Sequence, residues 1–433
     1  MIIEFTVSNF RSIKNEQIFS MLAYASKTKG DNVSQIILKN GSSVRLLNSA
    51  VLYGANASGK SNFIRGFRAM NYFILSSTDF KNGEDIICYE PFELDNSKIT
   101  APTRFKVIFI GTDNIKYQYE IEYNRKEVLK EILIHFPLGQ PAVIFNRTGT
   151  TIKLKDGFRD KRGVSLRIIP NQLFLSKIGN DGHEQMGEIY LYFKNIEVWN
   201  VPNRPIMNAL AERMKKDMSL PENEKFKKRL IKLINIADTQ IEDIETHSQS
   251  NDFSDVKLDD KFPSEVRDHI INSLKERIEL RPSHGLYEGD VRIGTKTLEW
   301  DEESLGTQVL FALGGLILRC LEKGGTIFFD ELDNSLHPRL CRFLVRLFHN
   351  PLSNPNHAQL IFATHEVTLL DKDIFRKDQI WFAKKNKRGD TEIYSAQDFE
   401  GVRDDTPFDK WYMAGKFDAQ PQIKEVEFIY GDA

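Results

Sequence analysis

Gly54-Ala55-Asn56-Ala57-Ser58-Gly59-Lys60-Ser61 decides how this chain folds, because it is a complete G-x-x-x-x-G-K-S nucleotide-binding loop. The apolar run Ala50-Val51-Leu52-Tyr53 precedes it, and Asn62-Phe63-Ile64-Arg65-Gly66-Phe67 follows it with a helical pattern. A phosphate-binding loop requires this order of strand, loop and helix. The sequence therefore predicts an α/β core with this loop at the end of one of its strands.

The residue types of the loop have chemical reasons. Gly54 and Gly59 let the backbone curl so that successive N–H groups point at phosphate oxygens, and the dipole of the following helix adds to the attraction. Lys60 is predicted to reach the β- and γ-phosphates of ATP, and the Ser61 hydroxyl to bind Mg²⁺. The predicted ATP-binding residues of this stretch are Gly54, Asn56, Ala57, Ser58, Gly59, Lys60, Ser61 and Asn62.

Composition limits the class of protein. The chain has 433 residues, 41% hydrophobic and 28% charged, which is enough for a large core and more than one lobe. With 59 basic and 61 acidic residues, no global field attracts it to nucleic acid or to a membrane. Cys88, Cys320 and Cys341 match no metal or redox spacing and are typical of reduced cytosolic thiols. We find no signal peptide and no apolar run near the roughly 20 residues that span a bilayer, so we expect a cytoplasmic protein without membrane contact.

Patterns along the chain indicate three parts. Residues 1–195 are rich in strands and include a hairpin, Phe105–Ile110 and Ile115–Ile121, around a Gly-Thr-Asp-Asn turn. Residues 196–285 are predicted to form an inserted helical lobe, since Lys225–Ile234 carries apolar residues at helical spacing. Residues 286–433 return to alternating strands and helices.

A second motif is the apolar run Thr326-Ile327-Phe328-Phe329 followed by two acids. Acids at the carboxyl end of a buried parallel strand face the crevice where ligands bind. Asp330 is predicted to hold Mg²⁺ through water, and Glu331 to polarise the water that attacks the γ-phosphate. Alone, such a run is often only a strand end, so its meaning depends on the phosphate loop upstream and on the motifs around it.

Three more elements complete the set. Glu303-Ser304-Leu305-Gly306-Thr307-Gln308 opens a helix, Leu332–Pro338 follows the acidic pair, and Leu360–His365 is an apolar strand that ends in Thr-His. Each has a plainer interpretation. Ser304 is also a good helix N-cap, a histidine after a strand is often structural, and His337-Pro338 is compatible with a simple turn.

In this order, the elements resemble the ABC-class ATPases of the RecF- and SMC-like branch. The resemblance implies an ABC-type ATPase head with mixed β-sheets, a parallel P-loop core and an inserted helical lobe. It also implies ATP sandwiched between two heads, hence a head-to-head dimer or higher oligomer. By resemblance, Ser304, Gly306 and Thr307 form the signature that contacts the partner's γ-phosphate in trans. Asp333 lies in the loop that links the two sites, and His365 is the switch histidine on the γ-phosphate.

The resemblance extends over nearly the whole chain. Asn9-Phe10-Arg11-Ser12-Ile13 is similar to the N-F-R-S opening of RecF-like heads, which implies that Arg11 lies near the nucleotide; a surface arginine fits equally well. More narrowly, the chain resembles bacterial phage-defence ATPases of the RloA/AbiLi, AriA and PtuA group. The landmarks are Tyr89–Phe92, Tyr117, Tyr119, Phe174–Ser176, Ala237-Asp238, Ile241, Ile244, Ala358–Phe362, Asp378–Phe382 and Gly415–Pro421. No glutamine in 85–125 stands out as the residue that would relay the state of the metal site to the inserted lobe.

These observations support two hypotheses. The first is a slow ATPase that acts as an ATP-gated dimeric switch or scaffold and controls a partner effector, a nuclease or toxin, in bacterial antiphage defence. The alternative is a RecF-like DNA-binding ATPase in DNA repair. It requires the cations of the inserted lobe between Arg204 and Lys232 to contact nucleic acid. The acids interspersed among them favour the wet face of amphipathic helices instead; they are Glu212, Asp217, Glu222 and Glu224. The N-F-R-S start and the large insertion argue against a transporter subunit.

Overall fold

The computed structural model describes residues 1–155, 158, 165–237, 239–250, 276–421 and 428–429, so the landmark Asp238 lies outside the described residues. The helices are α1 (Lys60–Ser76), α2 (Phe174–Asn180), α3 (Glu184–Lys194), α4 (Arg204–Ser219), α5 (Glu224–Ile236), α6 (Leu305–Lys323), α7 (Pro338–His349) and α8 (Phe408–Met413). The strands are β1 (Ile2–Ser8), β2 (Gln17–Ser20), β3 (Val33–Ile37), β4 (Ser43–Leu47), β5 (Ser49–Tyr53), β6 (Thr103–Ile110), β7 (Lys116–Tyr123), β8 (Val128–His135), β9 (Ala142–Thr148), β10 (Thr151–Leu154), β11 (Ile196–Asn200), β12 (Ile241–Ser250), β13 (Glu276–Glu288), β14 (Val291–Thr297), β15 (Thr326–Asp330), β16 (Gln359–Ala363), β17 (Ile380–Lys385) and β18 (Thr391–Ser395).

The chain divides into two compact units. The first comprises Met1–Asn200, Cys320–Asp333 and Cys341–Ala433, and the second comprises Val201–Arg319 and Asn334–Leu340. The signature segment Ser304–Thr307 thus belongs to the second unit, whereas the boundaries drawn from the sequence group it with residues 286–433.

The first unit contains a parallel sheet in the order β11-β15-β16-β5-β17-β18, in which β18 alone runs antiparallel to its neighbour. Every residue of β5, β15 and β16 is buried, as expected for strands covered on both faces. Because these strands are parallel, the phosphate loop after β5, the acids at the end of β15 and Thr364-His365 after β16 lie at the same edge. The predicted mixed α/β fold with a parallel P-loop core is confirmed.

A second, antiparallel sheet in this unit has the order β10-β9-β8-β7-β6-β1-β2 and contains the predicted hairpin as β6 and β7. Helix α1 packs against both sheets through its aromatic residues. The Phe67 ring lies 5.0 Å from Phe5 of β1 and stacks at 4.2 Å on Phe328 of β15. Each such buried side chain contributes about 1.5–3 kcal/mol. The helix that carries Lys60 and Ser61 at its start is therefore held firmly by the core.

A buried ion pair fixes the segment after the antiparallel sheet. Arg147 of β9 and Glu131 of β8 are fully buried, 3.2 Å apart. Glu131 also accepts the N–H groups of Phe174 and Leu175 in the first turn of α2, at 2.7 and 2.9 Å. The carboxylate thus satisfies backbone donors that a helix start leaves without partners.

The second unit combines α4, α5 and most of α6 with a three-stranded antiparallel sheet, β12-β13-β14. Helix α5 buries Phe226, Leu230, Leu233 and Ile234, which is the spacing that predicted it. Glycines let α6 approach closely, because a Cβ on Gly315 would lie 2.6 Å from the sulfur of Met214.

The sequence predicted a helical lobe up to residue 285. In the structure, however, residues 241–250 form strand β12 and residues 276–285 belong to strand β13. In β13, Ile278 and Leu280 are buried and alternate with Glu279 and Arg281, so the period is two rather than 3.6. The amphipathic pattern of α5 therefore ends before this alternation begins.

Helix α6 is the element to compare with the expectation that the protein makes no membrane contact. It is long and apolar enough to cross a bilayer, with a mean hydropathy of 1.4 over its most apolar stretch. However, 72% of that stretch is buried inside the protein, which is the behaviour of a core helix.

Candidate functional site

The phosphate loop is held in a conformation that only glycine permits at its two key positions. Gly54 has φ +153° and Gly59 has φ +111°. A Cβ at Gly54 would lie 2.3 Å from the carbonyl oxygen of Ala383, and one at Gly59 would lie 2.1 Å from Oγ1 of Thr391. Both the backbone angle and the close approach of β17 and β18 therefore require these glycines.

The side chain of Lys60 folds back over the phosphate loop, where it is predicted to bind the phosphates of ATP. Its side chain is buried, and its Nζ donates to the carbonyl oxygens of Gly54 at 2.8 Å and Ala55 at 3.1 Å. Burial lowers the pKa of Lys60 to about 8, against the opposing pull of nearby carboxylates. The Ser58 hydroxyl is buried with no hydrogen-bond partner in the part of the chain that the structure describes. An orphaned donor beside a buried ammonium fits a phosphate-binding loop.

Ser61 and Asp330, the two predicted Mg²⁺ ligands, are in contact. The Ser61 hydroxyl donates to Oδ1 of Asp330 at 3.0 Å. Burial raises the pKa of Asp330, while the Ser61 hydrogen bond and the cations Arg65 and Lys60 act in the opposite direction. Hydroxyl and carboxylate oxygens suit Mg²⁺, which commonly takes one or two protein ligands together with substrate phosphates. Across the described residues, no cluster of three or more His, Cys, Asp or Glu forms a protein cage for another metal.

Asn200 is a site residue that the sequence did not reveal. It ends β11, directly opposite Asp330 in the parallel register, and its Nδ2 donates to Oδ2 of Asp330 at 3.3 Å. Ser61 and Asn200 thus hold one carboxylate oxygen each. No motif marks Asn200, and the only signal would have been the sheet order, which places β11 beside β15.

Glu331 and Asp333 raise the pKa of Lys60, and the charge of Lys60 lowers the pKa of His365, so these three residues lie within electrostatic reach of its ammonium. Glu331 has φ +60°, a left-handed conformation that costs a non-glycine residue about 1–2 kcal/mol. Oδ1 of Asp333 is buried without a hydrogen-bond partner among the described residues. Partial burial and the charge of Lys60 lower the pKa of His365, against the pull of the two carboxylates, so its imidazole is neutral at pH 7. Strain and unpaired polar atoms of this kind are typical of functional sites.

Arg11 lies beside the start of α1. Its Nε pairs with a carboxylate oxygen of Glu90 at 2.7 Å, and it lines a cavity of about 410 Å³ together with Ser12 and Asn62. Nδ2 of Asn62 donates to Oγ of Ser12 at 2.8 Å. The structure thus brings Arg11 to the predicted nucleotide-binding helix, where an ion pair holds it; its contact with nucleotide stays a prediction.

The signature residues lie at the start of α6 in the second unit. Ser304 is exposed and caps the helix, since the Thr307 N–H donates to its Oγ at 3.1 Å. A Cβ on Gly306 would lie 3.2 Å from the carbonyl oxygen of Ser335. The N-cap interpretation therefore describes what Ser304 does within this chain. Its predicted contact with a partner's phosphate stays a prediction.

A phosphate loop, an acidic pair and a Thr-His strand end at one edge of a parallel sheet define a P-loop protein of the ATPase class. The chain belongs to the family described as "AAA domain, putative AbiEii toxin, Type IV TA system", whose pattern matches residues 49–371.

Solved structures with a similar chain trace include two SMC head domains and RecF. The SMC head domain from Thermotoga maritima has 13% identity and a TM-score of 0.42, covering 91% of this chain and 98% of its own. The Smc head domain of Pyrococcus furiosus bound to the C-terminal domain of ScpA has 11% identity and a TM-score of 0.38, covering 96% and 98%. The recombination mediator RecF with ATP has 13% identity and a TM-score of 0.36, covering 91% and 97%. These likenesses assign no role to any residue. The comparison with curated proteins gave no match.

Proposed function

We propose that this protein binds ATP with Mg²⁺, hydrolyses it slowly in a site completed by a second copy, and acts as an ATP-gated switch. The observation that carries the proposal is the convergence of Lys60, Ser61, Asp330, Glu331 and His365 at one edge of the parallel sheet. Their residue types are those that phosphoryl transfer to water uses.

In the proposed reaction, the amides of the loop and Lys60 bind the β- and γ-phosphates. Ser61 and Asp330 would hold Mg²⁺, which would supply charge neutralisation at the phosphate oxygens. Water attacks the γ-phosphorus, its proton passes to Glu331, and the bond to the β–γ bridging oxygen breaks to leave ADP and phosphate. The neutral His365 donates a hydrogen bond to the γ-phosphate.

The decisive experiment compares Glu331→Gln with the wild type. Glutamine keeps the size of the side chain but accepts no proton, so the variant should bind ATP and lose most turnover. Its mass by light scattering should double when ATP and Mg²⁺ are added, because the closed dimer is trapped. Lys60→Ala is the control and should stay at its nucleotide-free mass. Normal turnover by Glu331→Gln would remove Glu331 as the base.

Two matched variants of Ser304 test its proposed contact with the partner's γ-phosphate. Asp and Asn cap helices about as well as Ser, so both replacements should preserve α6. Ser304→Asp places a carboxylate where the partner's γ-phosphate is expected, and like charges repel. We expect Ser304→Asp to bind ATP without dimerising or hydrolysing it, whereas Ser304→Asn retains both. Equal turnover by the two variants would contradict the trans contact.

A role in defence is the finer part of the proposal. The family description names a toxin of a toxin–antitoxin system, and the landmarks resemble phage-defence ATPases. We infer a cytoplasmic head-to-head dimer or higher oligomer that controls a nuclease or toxin partner. Phage plating on cells that carry the gene with its genomic neighbours should fall with the wild type and recover with Lys60→Ala. Equal plating on both strains would contradict this role.

The alternative, a RecF-like DNA-binding ATPase, has one observation in its favour. Lys225, Lys228, Arg229 and Lys232 line one face of α5, opposite its buried apolar residues. Lys228 is paired with Glu224 at 3.5 Å, as a solvated helix face would be. Duplex binding whose logarithm falls steeply with the logarithm of salt, and less steeply after Lys225→Gln and Lys232→Gln, would support this alternative. Absence of measurable binding at low salt would exclude it.

A further inference from the structure

Residues 415–420, here called the C-terminal strap, lie directly on the phosphate loop. The carbonyl oxygen of Ala419 accepts the N–H of Ala55 at 2.9 Å, so the first turn of the loop is fastened to the strap. Ala419 is 3% exposed. The sequence landmark Gly415–Pro421, to which the proposed reaction assigns no role, thus has a defined place beside the nucleotide-binding loop.

The strap is anchored independently of the loop. Phe417 is buried and stacks at 4.5 Å on Phe382 of β17, and its carbonyl oxygen accepts the Tyr394 hydroxyl at 2.8 Å. Asp418 forms an ion pair with Lys384, two residues further along β17. Asp418 also has φ +51°, a left-handed conformation that Asp and Asn adopt more readily than other non-glycine residues.

Strand β17 connects strap and loop. Phe382 and Lys384 hold the strap, while the carbonyl of Ala383 between them closely abuts Gly54. The second half of the loop is fastened separately, because the Thr391 hydroxyl donates to the carbonyl oxygen of Ser58 at 2.9 Å. Both halves of the loop are therefore fixed by contacts from the C-terminal part of the chain.

We propose that the C-terminal strap is a positioning segment that holds the phosphate loop in its nucleotide-binding conformation, through the Ala419–Ala55 hydrogen bond and the Lys384–Asp418 ion pair. A loop already fixed in the bound conformation loses less freedom when the ligand arrives, so affinity rises. Release of the strap lowers nucleotide affinity without removing any residue that contacts nucleotide. This inference rests on the proposed ATP binding.

The test uses the full chain with substitutions at Asp418. Asp418→Lys places two cations together and should push the strap away, whereas Asp418→Asn keeps a residue that tolerates positive φ and removes only the charge. We expect affinity for a fluorescent ATP analogue to fall at least about fivefold in Asp418→Lys and less in Asp418→Asn. Asp405→Lys, in an exposed loop, makes the same change of charge and should leave affinity unchanged or raise it, because ATP is an anion.

The sign of the effect separates positioning from simple charge attraction. A purely electrostatic role would make Asp418→Lys bind ATP more tightly, and that result, or unchanged affinity, would overturn the proposal. A second readout needs no nucleotide. Hydrogen exchange of the peptide that contains Ala55 should accelerate in Asp418→Lys and not in Asp405→Lys, and equal exchange would also overturn it. If the wild type binds no ATP, the proposed function fails, while hydrogen exchange still tests the strap contact.

Discussion

The depressed pKa of Lys60 predicts a pH-dependent affinity for ATP. Burial lowers this pKa to about 8, so the ammonium is about 90% protonated at pH 7 and about 10% at pH 9. Since the charged form binds phosphate, affinity is full below the pKa and is lost above it. The dissociation constant should rise about tenfold between pH 7 and pH 9, which corresponds to about 1.4 kcal/mol. Near pH 8, ATP binding should take up about half a proton, because phosphate raises the pKa of the lysine.

Isothermal titration calorimetry in two buffers of different ionisation enthalpy measures both quantities. His365→Asn is the control and should keep the step, because the pKa of His365 is lowered away from this range. The buried thiols do not interfere either, since burial raises the pKa of Cys341 to about 12. Affinity that stays constant to pH 9, with no proton uptake, would refute Lys60 as a buried ammonium that binds phosphate.

Other substitutions test the supports of the site. Gly59→Ala would bring a methyl group to 2.1 Å from Thr391 Oγ1 at a positive φ, and we expect ATP-analogue affinity to fall more than about tenfold. Asn200→Ala removes one hydrogen-bond donor to Asp330, so turnover should require a higher magnesium concentration, measured by magnesium titration. An unchanged requirement would show that Asn200 does not support the metal site. Arg147→Met leaves a buried carboxylate without its cation and should lower the free energy of unfolding in urea by about 3–5 kcal/mol, whereas a loss under about 1 kcal/mol would show that the carboxylate takes up a proton.

The sequence predicted the part of the site that depends on local patterns. Mostly apolar runs before the phosphate loop, Asp330 and His365 indicated buried parallel strands, and parallel strands bring their carboxyl ends to one edge. Such a prediction needs no knowledge of which strands are neighbours.

The parts that were missed depend on distant pairing. Asn200 contacts Asp330 because β11 lies next to β15 in the sheet. The sequence around Asn200 contains no pattern that predicts this order of strands. The strap reaches Ala55 from the far end of the chain. Strand β13 follows a strong amphipathic helix, and the alternation of its side chains is short compared with the helical pattern before it. Local periodicity carries no information on such contacts.

Asn200 and Asp333 each lie where the chain passes from the first unit to the second. One passage is Asn200 to Val201, and another is Asp333 to Asn334. Asn200 holds Asp330 by a hydrogen bond, and Asp333 raises the pKa of Lys60 against burial. Each of these two residues therefore joins a contact of the phosphate and metal site to a point where the chain enters the second unit. Since the second unit carries the signature segment, Asn200 and Asp333 are the positions at which to test whether a change at the phosphates alters the proposed dimerisation.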